Sequence, residues 1–161
     1  MTNAPGHLGW DQPVMLLRCP VAPVTRVVVG VDGSAGSAAA LLWAAAEALR
    51  CNAGLRIVSA WQEPAGAEDT RADHPAQAAA RLVEKALARV LSQQHYPRRI
   101  ACAALRGTPA QALLGQARDT GLLVLGTAGT RAAGLPGPIG EYCLLHGRGP
   151  LALVFGEPGT D

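Results

Sequence analysis

A chain of 161 residues, of which 49% are hydrophobic and 16% charged, is expected to fold as one globular domain and not to remain disordered. Its formal net charge is only +2 and its longest basic run is Arg98-Arg99, which argues against nucleic acid as a partner. No apolar run is long enough to span a membrane, and the N-terminus lacks the basic and apolar regions of a secretory signal. We therefore expect a cytoplasmic protein without a membrane partner.

The cysteines and histidines are scattered through the sequence. No two cysteines have the CxxC spacing of zinc or redox motifs, and the histidines form no ligand cluster. The sequence therefore predicts no metal site and four reduced thiols. These are Cys19, Cys51, Cys102 and Cys143.

Residues 1–24 are rich in glycine and proline and lack periodicity, so they are predicted to be a partly disordered N-terminal extension. We expect the apolar stretch Val14-Met15-Leu16-Leu17 to lie against the domain. From residue 26 onward, apolar runs alternate with alanine- and leucine-rich helical patterns. The predicted strands are RVVVGVD from Arg26, then Leu55–Trp61, Ile100–Leu105, Leu122–Leu125 and Leu151–Phe155. The predicted helices cover about 37–51, 79–91, 110–117 and 139–146.

Two helix starts carry recognisable capping residues. Ser34 or Ser37 is predicted to cap the first helix. In Gly107-Thr108-Pro109, the threonine is predicted to cap the third helix and the proline to take its first helical position.

Five strands that alternate with four helices predict an α/β fold, an open parallel sheet of five strands with helices on both faces. In such sheets ligands bind beyond the carboxyl ends of the strands, near the point where the strand order reverses. The turn Asp32-Gly33-Ser34 follows the first predicted strand and Gly126 follows the fourth. Both are therefore expected at the ligand-binding edge.

Glycines are concentrated after the fourth predicted strand. A glycine-rich loop between a buried strand and a helix start is typical of an anion site, because backbone N–H groups can approach a phosphate closely. The same composition is typical of a long flexible connection, and the loop alone does not decide between the two. The loop contains Gly126, Gly129, Gly134, Gly137 and Gly140, with Pro136 and Pro138 between them.

Several segments resemble the universal stress protein family in the same order along the chain. They are VVVGVDGS, AALLWAAAEA, VSAW, RGTPAQALL, LLVLGT and EYCLLHGRGPLALV. The resemblance covers about residues 25–156 and assigns 157–161 to a tail. It implies a flavodoxin-like fold, of the kind also called adenine nucleotide alpha hydrolase-like. It also implies a cytoplasmic role in stress tolerance and a homodimer formed through the last strand.

One branch of this family binds ATP or AMP through the pattern G-x2-G-x9-G-[S/T], which implies a site in this chain. Asp32 would lie beside the ribose, Gly30 and Ala60 would flank the adenine, and Gly126 and Gly129 would begin the phosphate loop. The second half of the pattern departs from the family. With Gly137 as the third glycine only seven residues intervene and Pro138 replaces the Ser/Thr; with Gly140 ten intervene and Glu141 replaces it.

This departure is unfavourable for a triphosphate. Proline offers a phosphate oxygen neither an N–H nor a hydroxyl group, and Glu141 near the pocket would add like-charge repulsion. No cofactor is therefore assigned with certainty; AMP and ATP are the candidates, and we expect ATP to bind weakly or not at all. The alternative is a universal stress protein that binds ATP or AMP and acts as a nucleotide-dependent sensor.

The residues give little support to an enzyme. Asp32 stands where the nucleophile elbow GxSxG would need a glycine before Ser34, and no GxxxxGK[ST] motif occurs. Asp32 also has a purely structural interpretation, as an Asx turn before the first helix. We therefore expect no enzyme and no catalytic residues, but a cytoplasmic stress-response protein that acts as a dimeric module, with adenine nucleotide binding weak or lost.

The last predicted strand also bears on assembly. Leu151–Phe155 is apolar and would leave an open sheet edge, which proteins normally cover. Pairing of two copies about a two-fold axis would cover it. The sequence therefore predicts a homodimer through this strand.

Overall fold

The computed structural model describes residues 14–20, 22–63, 74–118, 121–127 and 137–155. Within them the chain forms six strands and four helices. The strands are β1 (Val14–Arg18), β2 (Arg26–Gly30), β3 (Gly54–Trp61), β4 (Ile100–Arg106), β5 (Gly121–Thr127) and β6 (Leu151–Phe155). The helices are α1 (Ala35–Arg50), α2 (Pro75–Leu91), α3 (Pro109–Gln116) and α4 (Pro138–His146). None of these helices is both long and apolar enough to cross a membrane.

The strands form one sheet in the order β1-β6-β5-β2-β3-β4. Strands β2 to β6 are parallel, which confirms the predicted α/β sheet. The predicted number of strands was wrong, because β1 adds a sixth strand that runs antiparallel to β6. The stretch predicted to lie against the domain thus extends the sheet at its edge. The predicted extension and tail otherwise fall mostly on residues 1–13 and 157–161, outside the described residues.

Strand β6 does not have the open edge that the sequence analysis assumed. It pairs with β5 on one side and with β1 on the other. The argument that an open edge requires a second copy is therefore wrong for this structure. The homodimer itself stays a prediction.

The core has one apolar layer on each face of the sheet. Alternate residues of β2 point to opposite faces, as the pleat requires. Val27 and Val29 pack with α1 and α2, whereas Val28 packs with α3 and α4. Because both faces are covered, the central strands are almost wholly apolar.

The helix starts are capped by side chains at two of the expected positions. Of the two serines proposed for α1, Ser34 is the cap, and its hydroxyl accepts a hydrogen bond from the Ser37 N–H at 3.1 Å. Thr108 caps α3 by accepting from the Gln111 N–H at 3.3 Å. These caps fix where α1 and α3 begin beside the carboxyl ends of the strands.

Candidate functional site

A cavity of about 480 Å³ lies at the carboxyl ends of the parallel strands. It spans the place between β5 and β2 where the strand order reverses, which is the usual ligand position in such sheets. Its volume falls in the range of small-molecule sites. Strand ends contribute Gly30, Val31, Asp32, Val58, Ser59, Ala60, Leu125, Gly126, Thr127 and Leu153. Helices and their starts contribute Ser34, Ser37, Leu82, Pro109, Leu113, Gly137, Pro138, Ile139 and Gly140.

The structure brings most of the predicted site residues together around this cavity. Gly30, Asp32, Ala60, Gly126 and Gly137 all line it. The predicted phosphate-loop glycine at position 129 lies outside the described residues. The binding roles assigned to these residues remain predictions, but their common location is a property of the fold.

Asp32 is held in place by the first turn of α1. The Ser34 N–H donates to Asp32 Oδ1 at 2.9 Å, and the Asp32 N–H donates to Ser37 Oγ at 3.3 Å. Burial alone would raise the pKa of this carboxyl, but hydrogen bonds from Ser34 and Ser37 outweigh it and hold the pKa below its ordinary value. The Asx turn is thus present, and it fixes a negative charge at the mouth of the cavity.

Gly30 lies beneath a leucine of α3. A Cβ atom at Gly30 would be 3.0 Å from Leu113 Cδ1, closer than side chains normally approach. Leu113 therefore closes one wall of the cavity over the end of β2. Leu113 was not predicted as a lining residue, because its helical spacing indicates only a core position.

Gly126 allows the close packing of α1 against the end of β5. A Cβ atom there would lie 2.2 Å from the Gly36 carbonyl oxygen, and one at Gly36 would lie 2.2 Å from the Thr127 carbonyl oxygen. The first turn of α1 and the end of β5 thus touch backbone to backbone, which only glycine allows. Gly36 was missed, although a glycine within a helical pattern is a signal of close approach.

The start of α4 is the part of the cavity best placed for an anion. Its cap is Gly137, which offers no side-chain hydrogen bond, and Pro138 at the first helical position has no N–H. The N–H groups of Ile139 and Gly140 have no partner among the described residues, and both residues line the cavity. Glu141 is in the same turn but does not line the cavity, so the expected repulsion from its side chain is not a feature of the site.

A second cavity, of about 560 Å³, lies at the opposite edge of the sheet. It is lined by the first residues of β5 and β6 and by Arg18, Arg118 and Arg148. None of the predicted site residues that the structure describes lines this second cavity. The two cavities are separated by the length of the strands, and only the first has the position that the fold favours for a ligand.

Residues 23–154 match the family model of the universal stress protein family. No curated protein matches the chain.

Solved structures with the same fold include three universal stress proteins. UspA from Lactobacillus plantarum is 21% identical with a TM-score of 0.63, over 83% of this chain and 99% of that one. A universal stress protein in complex with cAMP is 25% identical with a TM-score of 0.65, over 84% and 100%. A family protein from Burkholderia pseudomallei is 23% identical with a TM-score of 0.60, over 83% and 98%. With a family model that matches most of its length, this chain belongs to the universal stress protein family.

Proposed function

We propose that this protein binds an adenosine monophosphate, AMP or cAMP, in the cavity at the carboxyl ends of β2, β3 and β5, and that it binds ATP no more tightly. The observation that carries the proposal is the start of α4, where two backbone N–H groups remain and the first helical position is proline. A universal stress protein of the same fold is described in complex with cAMP, which supports an adenosine ligand with a single phosphate.

The adenosine half of this proposal rests on the walls between β2 and β3. Val58 and Leu113 give an apolar slot between the strand ends and α3, suited to a flat base. The Asp32 carboxylate is ionised at neutral pH, because its pKa lies below the ordinary value. It is therefore able to accept hydrogen bonds from both ribose hydroxyls, as acidic residues do in other doubly wound folds.

The phosphate half rests on α4. A helix start attracts an anion through its free N–H groups and its dipole. At α4 the proline removes the first of these donors, so one phosphate finds two described donors, at Ile139 and Gly140, and further phosphates gain little from this helix. Each charge-assisted hydrogen bond contributes about 1.5–3 kcal/mol, so one missing donor lowers affinity roughly tenfold or more.

We propose a binding role without turnover, as a stress-response protein of the cytoplasm. Two of the cavity hydroxyls already serve the first turn of α1: the Ser34 hydroxyl accepts from the Ser37 N–H, and the Ser37 hydroxyl donates to the Ser34 carbonyl. We propose the homodimer through Leu151–Phe155 only for a chain in which β1 has separated from β6, because β1 otherwise occupies the edge of β6.

Calorimetric titration with AMP, cAMP and ATP tests the proposal. For the unmodified protein we expect AMP and ATP to bind with similar affinity. Pro138→Ser should strengthen ATP roughly tenfold, because it restores one N–H and adds a hydroxyl. Asp32→Ala should weaken all three ligands alike.

Pro75→Ser is the matched control, because Pro75 occupies the first turn of α2 and does not line the cavity. It should leave all three affinities unchanged. Tight ATP binding by the unmodified protein, far stronger than AMP, would overturn the proposal and favour the nucleotide-dependent sensor.

A further inference from the structure

The second cavity, at the amino ends of β5 and β6, has a cationic lining. Its volume of about 560 Å³ falls in the range of small-molecule sites. Arg18, Arg118 and Arg148 line it, and none of the described lining residues is an aspartate or a glutamate. The whole chain has a formal net charge of only +2, so positive charge is concentrated here. A concave surface lined by one sign of charge attracts ligands of the opposite sign.

One of the three arginines is engaged by the protein itself. Arg18 donates from Nε to the Gly149 carbonyl at 2.8 Å, and from Nη2 to the Cys143 carbonyl at 3.1 Å. Its Nη1 donates to the carbonyls of Leu144 and Gly147. Carbonyl groups at the end of a helix carry partial negative charge and would repel an anion. Arg18 therefore offsets the negative end of α4 beside the cavity.

The other two arginines differ from Arg18 in their contacts. Arg118 and Arg148 are exposed, and neither forms a hydrogen bond or an ion pair with a described residue. By contrast, Arg50 and Arg106, which do not line this cavity, each pair with a glutamate. A guanidinium group presents its N–H donors in a planar fork that matches a carboxylate or a phosphate. Two such forks border the cavity without a protein acceptor among the described residues.

The remaining lining is suited to a flat carbon skeleton. Leu114, Leu123 and Pro150 contribute apolar surface. Tyr142 stacks against His146 on α4, with ring centroids 4.2 Å apart and ring planes inclined by 35°. Both rings line the cavity and also carry hydrogen-bonding atoms. A ligand with an aromatic or other flat apolar body would therefore find contacts beside the arginines.

Gly147 brings the cationic and the apolar parts of the lining together. A Cβ atom there would lie 2.7 Å from Leu114 Cδ2 and 2.9 Å from Arg18 Nη2. Both distances are shorter than ordinary van der Waals contacts, so the turn after α4 passes closely between these two side chains. The cavity is thus bounded by packed side chains of β1, α3 and α4.

We propose that the second cavity binds a small organic anion, in which a carboxylate or a phosphate is carried on a flat apolar body. Arg118 and Arg148 hold the charged group, and Leu114, Leu123 and Tyr142 contact the body. Arg18 is a positioning residue, because it covers the carbonyl groups that would otherwise repel the ligand. The site lies at the opposite edge of the sheet from the nucleotide cavity, so this inference does not rest on the proposed function.

Titration of the full chain with benzoate, phenyl phosphate and uncharged benzamide, followed by amide NMR, tests the inference. Both anions should shift the amide signals of Gly121, Gly147 and Gly149, which line the second cavity. The signals of Gly30 and Gly126, in the nucleotide cavity, should not move. Benzamide should bind about tenfold more weakly or less, because it offers no charge to the arginines. The tighter of the two anions assigns the charged group of the ligand.

Substitution of the arginines separates a site from a general attraction to positive charge. Arg118→Ala and Arg148→Ala should each weaken the anions about tenfold, the factor for losing one charge-assisted bond, and leave benzamide unaffected. Lysine at either position should weaken them less, because it keeps the charge but not the fork. Arg98→Ala is the matched control, since Arg98 is exposed and lines neither cavity, and it should leave all affinities unchanged.

Three results would overturn the inference. Anions that leave the signals of Gly121, Gly147 and Gly149 unmoved would mean that the second cavity binds no such ligand. Equal binding of benzamide would make it an apolar pocket without selectivity for an anion. If Arg98→Ala weakens the anions as much as Arg148→Ala does, the attraction comes from the net charge of the protein and not from this site. None of these results bears on nucleotide binding at the other edge.

Discussion

Replacing Gly126 by alanine tests whether the contact between β5 and α1 holds the cavity in shape. The new Cβ would lie 2.2 Å from the Gly36 oxygen and 2.4 Å from its carbonyl carbon. Both atoms belong to the backbone, so the first turn of α1 has to withdraw by about 1 Å to regain an ordinary contact. Such overpacking costs about 1–3 kcal/mol. For a chain of this length, that cost lowers Tm by roughly 2–12 °C.

Calorimetric or spectroscopic melting measures this effect, with Gly115→Ala as the control. Gly115 lies in α3, and a Cβ there meets no atom within 4 Å. The control should raise stability by about 0.5–1 kcal/mol, because alanine favours the helix. If Gly126→Ala has the same Tm as the unmodified protein, α1 and β5 do not approach each other as closely as they do in the structure.

Four further measurements address separate parts of the molecule. Thr108→Ala should lower the free energy of unfolding by about 1 kcal/mol in denaturant titration, because α3 loses its capping oxygen. Iodoacetamide at mildly alkaline pH should modify the exposed Cys19 well before Cys143, whose pKa burial raises to about 11. Because folding lowers the pKa of Asp32, its ionised carboxylate stabilises the fold at pH values above the ordinary pKa of 3.8. The difference in Tm between the unmodified protein and Asp32→Asn should therefore become smaller as the pH falls below 3.8. Gly137→Ser should raise Tm slightly by adding a cap, yet weaken AMP in calorimetry, because the new hydroxyl competes for the N–H groups of α4.

The order of elements and the edge of the sheet that holds the cavity were predictable from the sequence. Strands such as Val27-Val28-Val29 are buried on both faces, and such continuous apolar runs between helical patterns identify a parallel sheet. The positions of Asp32 and Gly126 at strand ends then follow from topology alone. No knowledge of side-chain contacts was needed to bring them together.

Strand β1 could not be predicted from the sequence, for a physical reason. Its five residues carry no periodic pattern, and an isolated strand of that length is stabilised only by its partner. Both the ladder with β6 and the carbonyl oxygens that Arg18 binds are formed by residues 143–154. Nothing near Arg18 in the sequence indicates that those carbonyls converge on it.

The three helix starts around the cavity differ in the unbonded backbone N–H groups that they offer a ligand. At α1 the Ser37 N–H is already bonded to Ser34, and at α3 the Gln111 N–H is bonded to Thr108. Pro109 gives α3 no donor at its first position. At α4, capped by a glycine, the first N–H groups have no partner among the described residues, and they belong to the cavity-lining residues Ile139 and Gly140. Since a phosphate is held by such groups, the capacity of this cavity for negative charge is concentrated at one short helix, which suits one phosphate better than three.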